Sequence, residues 1–313
     1  MNFRTTIVLI SAAVLLATGC KKDETDSPAP LPPTPVQNPL LGLFHGHVED
    51  ATQTFTIAAA TGGTVTGADG ITFYFPPNAF RTPTGGLVTG AVQIELVEAL
   101  TVGDMLWLNK QTLGNDGGQL RPLISGGQYY VNATQGGTQL RLADNAGWVT
   151  VPAPNGGDPN MGLFAGTVDE EGIITWDPFA DDAGGGQDTA YYSFPNDSLG
   201  WVNCDYFMNG GGVQTAVQVT CPAGHTEANT MVWLVFPDQN SMTGIYSSAA
   251  NVFSTGSYYT LPVALNITVV ALAEIDGDYF GSFTTSVVSE GMDLQIDLAP
   301  TTLAQFEIAI QGL

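Results

Sequence analysis

Positive charge is scarce in this chain. Its 313 residues include 7 Lys+Arg against 30 Asp+Glu, a formal net charge of −23. After Arg141 neither Lys nor Arg occurs, while 20 acids lie between Leu142 and Leu313. A nucleic-acid-binding face needs cations to neutralise phosphates, and a polybasic contact with anionic lipid needs them too, so both classes are excluded. Histidine is nearly as rare, being confined to His45, His47 and His225. A serine hydrolase needs a His base with an orienting acid, and the Gly-x-Ser-x-Gly elbow is absent. There are 3 cysteines. No apolar run reaches the ~20 residues that a permanent membrane-spanning helix requires.

What the chain does have begins at its N-terminus. Arg4 supplies a positive start, and Ile7–Leu16 is an apolar run broken by Ser11, which together form a secretory signal pattern. The ending Leu16-Ala17-Thr18-Gly19-Cys20 resembles the bacterial lipobox, with Ala17 where Leu is commonest. The resemblance implies that Cys20 becomes the first residue of the mature chain and carries acyl chains. Each buried CH₂ contributes ~0.8 kcal/mol, so two or three chains hold a protein firmly in a bilayer. Lys21-Lys22-Asp23-Glu24 then resembles the export signal of surface lipoproteins of the Bacteroidota. Thr25–Leu40 carries six prolines and reads as an extended spacer.

Beyond Leu40 the chain reads as short strands separated by Gly, Asn and Asp. Gln53–Ala58, Ile71–Phe75, Leu87–Glu95, Gln128–Ala133, Thr230–Phe236, Ile267–Ile275 and Tyr279–Val287 are examples. Thr301–Gly312 is the best helix candidate, with Leu303, Phe306 and Ile310 on one face and a Thr to cap it; a closing strand competes. The expected fold class is all-β, two Ig-like β-sandwich domains with a short C-terminal helix. The expected organisation is a signal peptide at 1–19, acylated Cys and Pro-rich tether at 20–40, and a first sandwich at 41–145. A Gly/Pro/Asp-rich linker with one or two strands follows at 146–187, then the second sandwich at 188–313.

A family resemblance rests on Gly70-Ile71-Thr72-Phe73-Tyr74-Phe75-Pro76-Pro77-Asn78-Ala79-Phe80, on Gly90–Glu95, and on Gly126-Gly127-Gln128-Tyr129-Tyr130-Val131-Asn132-Ala133. These resemble a module of Bacteroidota surface lipoproteins, similar to the β-sandwich shared by zona-occludens and netrin-receptor proteins. Gly200-Trp201-Val202-Asn203-Cys204-Asp205 resembles a second signature of the same lipoproteins. The resemblance implies fold and location, and brings no catalytic motif.

Candidate sites are few. With Cys20 acylated, Cys204 and Cys221 remain as an even pair in an exported chain. A Cys204–Cys221 disulfide is expected, with Trp201 packed on it; two buried thiols or a metal site are the alternatives. Calcium is the metal considered, held by Asp276 and Asp278 of an Asp-Gly-Asp turn or by Asp181 and Asp182 of a Gly-rich stretch, near Asp177 and Asp188. No cofactor is required. His45-Gly46-His47 with Glu49 is a weaker metal candidate, and Glu95 with Glu98 a weak acid–base pair. Adjacent tyrosines at 129–130, 191–192 and 258–259 should point to opposite faces of a strand. The expected protein is a non-enzymatic lipoprotein of the outer membrane, exposed at the cell surface. It would be held in the bilayer through Cys20 and would bind or scaffold a protein or glycan. Glycan capture is the alternative, and a hydrolase the least supported reading.

Overall fold

Apolar and polar residues alternate through much of the chain after Thr52, and strands form there because a half-buried strand needs that period. The computed structural model describes residues 38–313 apart from 145, 154, 155, 180–185, 188, 189, 197 and 210. The expected signal peptide, Cys20, the expected spacer as far as residue 37, Asp181, Asp182 and Asp188 therefore lie outside the described residues. The described residues belong to one compact unit of strands β1 to β25 and helices α1 to α3, numbered in chain order.

Three sheets carry the architecture. The first runs β1 (Gln53–Ala58), β5 (Ala91–Ala99), β7 (Gln119–Gln135), β15 (Gly200–Phe207), β11 (Gly162–Val168), β12 (Ile174–Pro178), β6 (Leu113–Asp116). The short β8 (Thr138–Gln139) also joins β7, and because β6 pairs with both β12 and β7 the sheet curls into a ring. The second sheet runs β13 (Gly186–Gln187), β14 (Tyr191–Pro195), β10 (Trp148–Pro152), β3 (Thr72–Phe75), β2 (Gly63–Thr66). The third runs β24 (Asp293–Gln295), β17 (Gln218–Thr220), β20 (Val252–Ser254), β19 (Ser241–Ala249), β18 (Thr230–Phe236), β22 (Asn266–Ile275), β23 (Asp278–Val287), β25 (Ala299–Thr301). Two-stranded ribbons join β4 (Phe80–Arg81) to β9 (Arg141–Leu142) and β16 (Gln214–Thr215) to β21 (Leu261–Pro262).

The layers follow from which face of each strand is apolar. Phe73, Phe75, Val149 and Val151 of the second sheet meet Val92, Ile94, Tyr129 and Val131 of the first. On the opposite face of the first sheet, Val97, Trp176 and Trp201 meet Trp233, Val235 and Val270 of the third. A third core, with Val219, Leu234, Phe236 and Phe253, lies on the other face of the third sheet, where Leu113 of β6 and Leu120 and Ile124 of β7 also join it. Each such side chain contributes roughly 1.5–3 kcal/mol by leaving water.

Three helices plug the middle core. α1 (Pro39–Asp50) starts at Asn38, whose Oδ1 accepts the Leu40 amide at 3.0 Å, and places Pro where a helix tolerates it. It buries Leu40 and Phe44, the latter edge-on to Trp233 at 5.6 Å. α2 (Val102–Trp107) and α3 (Leu303–Ile310) both carry capping boxes, Thr101 with Asp104 and Thr302 with Gln305. Gly103 lets them touch, since a Cβ there would sit 2.8 Å from the Ile310 carbonyl oxygen.

The structure is mostly β with a short C-terminal helix, and it differs from the sequence expectation in several places. The lines drawn at 145/146 and 187/188 do not follow the sheets. β10, β11 and β12 come from the expected linker, and β14 and β15 from beyond it, yet all five join the first two sheets. Residues 39 and 40, expected in the spacer, open a helix.

The expected disulfide is also corrected: Cys204 and Cys221 are free, buried thiols in separate cores. Cys204 lies on β15, whose pleat sends Val202 and Cys204 into the first core and Trp201 into the middle one. Trp201 therefore stands on the opposite face from Cys204, and the expected packing of indole on a disulfide does not occur. Cys221 follows β17 and bonds through its amide to the Asn251 carbonyl at 2.9 Å. Burial pushes both thiols up, Cys221 to about 11 and Cys204 well above its ordinary value, so neither is a ready nucleophile.

Candidate functional site

The pairing of β7 with β15 sets Tyr130 directly opposite Trp201. Their rings lie 5.6 Å apart and form the floor of an open cleft of 850 Å³. One wall is α1, through Leu41, His45 and Glu49, and the other is the β11–β12 turn, through Asp169, Glu170 and Glu171. Lys110 closes the inner end.

Lys110 is placed by backbone geometry. α2 stops at Leu108, Asn109 takes φ +51°, and the Lys110 amide bonds back to the Met105 carbonyl at 2.8 Å. The side chain is only 7% exposed. Its ammonium stands 5.5 Å from the centre of the Trp201 ring and donates to the Gly172 carbonyl at 3.1 Å. Burial lowers its pKa to about 8, against the opposing pull of Asp169. Tyr130 is pushed up by burial and by Glu95 beside it. The neighbouring residues are clamped. Asn109 accepts the Trp233 indole N–H at 3.0 Å, Gln111 O accepts that of Trp176 at 2.6 Å, and Gln128 Nε2 donates to Lys110 O at 2.8 Å.

Such a cleft can bind. An aromatic floor offers flat contact to a ring or an alkyl chain, and five carboxylates on its walls favour a cationic group over an anionic one. A smaller cavity of 270 Å³ adjoins it, sharing Leu41, Asn109 and Glu171 and reaching Trp233, Tyr246 and Tyr258.

The residues singled out from sequence fall elsewhere or apart. Asp276 and Asp278 flank the β22–β23 turn, where Asp276 and Gly277 have φ of +54° and +87° as a tight hairpin requires. Among the described residues no group of three or more His, Cys, Asp or Glu is placed to hold a metal ion, so these two aspartates have no described third ligand. His45 and His47 lie on a helix, not a strand, and diverge: His45 pairs with Glu49 at 3.4 Å. His47 Nδ1 lies 2.8 Å from the Trp107 carbonyl oxygen, its ring stacked on Trp107 at 3.7 Å.

Glu95 and Glu98 sit on opposite faces of β5. The Glu98 carboxylate accepts the amides of Asp69 and Ile71 at 2.9 and 2.8 Å and Gln53 Nε2 at 2.9 Å, fixing the β2–β3 turn. Asp205, from the Gly-Trp-x-Asn-Cys-Asp signature, is fully buried; burial pushes its pKa well up, against hydrogen bonds from Ser125, the Gly126 amide and Asn203.

Sequence reasoning missed Lys110 and Trp201 as neighbours. The usable signal was Lys110 itself, one of four cations after Leu40, in an otherwise apolar stretch. No helix among the described residues is long and apolar enough to cross a membrane. No protein-family model and no curated protein matches the chain.

Proposed function

We propose that the protein is a non-enzymatic lipoprotein anchored in the outer membrane through acylated Cys20, with a β-rich head that binds a partner at the cell surface. The observation that supports this is the join of two unlike pieces. A leader ending Ala17-Thr18-Gly19-Cys20 is followed, after a Pro-rich spacer, by a single compact head whose first helix is capped by Asn38. Acyl chains on Cys20 would retain the head at the bilayer without any spanning segment. Lys21-Lys22-Asp23-Glu24 supports display on the outer face. The cleft over Tyr130 and Trp201 gives the head a place for a ligand, and its side chains are suited to hold rather than to transform one.

Labelling with radioactive palmitate, followed by proteinase K treatment of intact cells, tests this reading. Trypsin is unsuitable, because nothing after Arg141 offers it a site. The expected result is label that disappears in Cys20→Ser, and release of peptides from Leu41 onward without lysis. Absence of label would overturn the anchor; protection of the head until lysis would overturn surface display.

Capture of glycans is a second reading, favoured by aromatic rings that stand outward on the second sheet.

A further inference from the structure

The outer face of the second sheet has an unusual composition. Strict alternation along β2, β3, β10 and β14 turns ten side chains away from the first core. They are three aromatic rings, two prolines, four threonines and one serine, with no acid and no base among them. In a chain with a formal charge of −23, a face of four strands without a carboxylate stands out. Three of its members are large and exposed: Tyr74 at 49%, Trp148 at 43% and Tyr191 at 40%.

The register orders them into rows. Tyr74 lies directly across from Trp148, which on its other side faces Pro195. The next row is Thr72, Thr150 and Ser193, and the third pairs Pro152 with Tyr191. Two residues along a strand advance about 7 Å, so the two aromatic rows stand about 13 Å apart with a hydroxyl row between them. The Trp148 indole is tied down: its N–H donates to Ser193 Oγ, on the diagonal, at 2.5 Å. Fixing the ring in advance lowers the ordering cost of contact.

We infer that this face is a binding platform for an uncharged polysaccharide chain, with Trp148 and Tyr74 stacking on one sugar ring, Tyr191 on another further along, and Thr150 and Ser193 meeting hydroxyls between them. Charge selects among occupants. A polyanion is repelled by the molecule as a whole, and a polycation finds no carboxylate among these ten side chains. Four adjacent strands present these side chains as one continuous face, which suits an extended polymer better than a small molecule enclosed in a pocket. A pyranose offers an apolar C–H face ringed by hydroxyls, the counterpart of alternating rings and hydroxyl side chains. The inference names a ligand class for the binding head proposed above and rests on that reading only for where the platform is displayed.

The test is electrophoresis of the full chain, purified in detergent, through native gels containing xyloglucan, glucomannan or mixed-linkage β-glucan, with a polygalacturonate gel as the anionic control. Retardation is expected in at least one neutral gel and none in polygalacturonate. Trp148→Ala should weaken retention by roughly tenfold or more, as removal of a central aromatic anchor does. Thr150→Arg, which leaves all three rings in place, covers the case in which Trp148→Ala fails to fold, and should also abolish retention. No retardation in any neutral gel, retention unchanged in both variants, or retention in polygalacturonate alone would overturn the inference. A dimer seen by sedimentation and lost in Trp148→Ala would also overturn it, by making a second copy the occupant. Palmitate labelling and protease release do not depend on these gels, so the anchor and the platform can fail separately.

Discussion

Two aromatic surfaces of this molecule use the same residue types in opposite settings. In the cleft, Trp201 is 9% exposed, shares its ring with the Lys110 ammonium and lies beneath a rim of carboxylates. On the outer sheet, Trp148 is 43% exposed, is tied to Ser193 and shares its face of the four strands with rings, prolines and hydroxyls, none of them charged. The first tryptophan belongs to a core before it belongs to a site; the second is almost free of packing duty. A binding role can therefore be separated from stability at Trp148 and cannot at Trp201.

Truncating each ring in turn breaks the comparison most directly. Trp201→Ala should cost roughly 3–5 kcal/mol by opening a cavity in the middle core, whereas Trp148→Ala should stay within about 1 kcal/mol. Denaturant unfolding reads both, and equal losses would mean that Trp148 is a core residue. The charge in the cleft gives the next effect. Lys110 titrates near 8 when folded and near its ordinary 10.5 when unfolded. The unfolded chain thus keeps the Lys110 proton between those values, so this side chain's own contribution to stability should rise with pH across that window, while the raised thiols of Cys204 and Cys221 pull the other way above about 9. The gain is roughly 3 kcal/mol for a shift of this size. Lys110→Met should remove that rise, which melting at a series of pH values would show; a parallel profile in the variant would place the titration elsewhere. The smallest effect concerns the support of the platform. Glu98 holds the turn between β2 and β3 through two amides, so Glu98→Gln should cost about 1–3 kcal/mol. Amide exchange at Asp69 and Ile71 should quicken in that variant while exchange around Lys110 stays unchanged.

Local pattern was legible in the sequence where local pattern decides the structure. Gln53–Ala58 and Thr230–Phe236 are strands at the expected limits, and the terminal helix has its Thr cap with Phe306 and Ile310 buried. The tyrosine pairs that lie on strands divide as the pleat demands, Tyr129 and Tyr192 facing the first core and Tyr130 and Tyr191 turned away from it, whereas Tyr258 and Tyr259 lie in a turn rather than on a strand. The first helix carried its own signal, Asn38-Pro39 followed by Leu40, Phe44 and Val48, but the proline count of the preceding stretch masked it. What could not be read is register between distant segments. Lys110, Tyr130 and Trp201 meet through pairings that no spacing announces. An even number of cysteines says nothing of which face of β15 Cys204 occupies.

The position of β15 has a consequence for how the protein comes into being. That strand lies between β7 and β11, so the first sheet cannot be completed until residue 207 is available. Phe44 waits still longer for Trp233, and Gly103 for Ile310. A chain that emerges N-terminus first must keep its early strands open for most of its synthesis. Long-range pairing of this kind is slow and leaves edges available to the wrong partner. The head is thus a natural client for a holding chaperone, and release of an unfinished chain would be met by aggregation rather than by a half-formed domain.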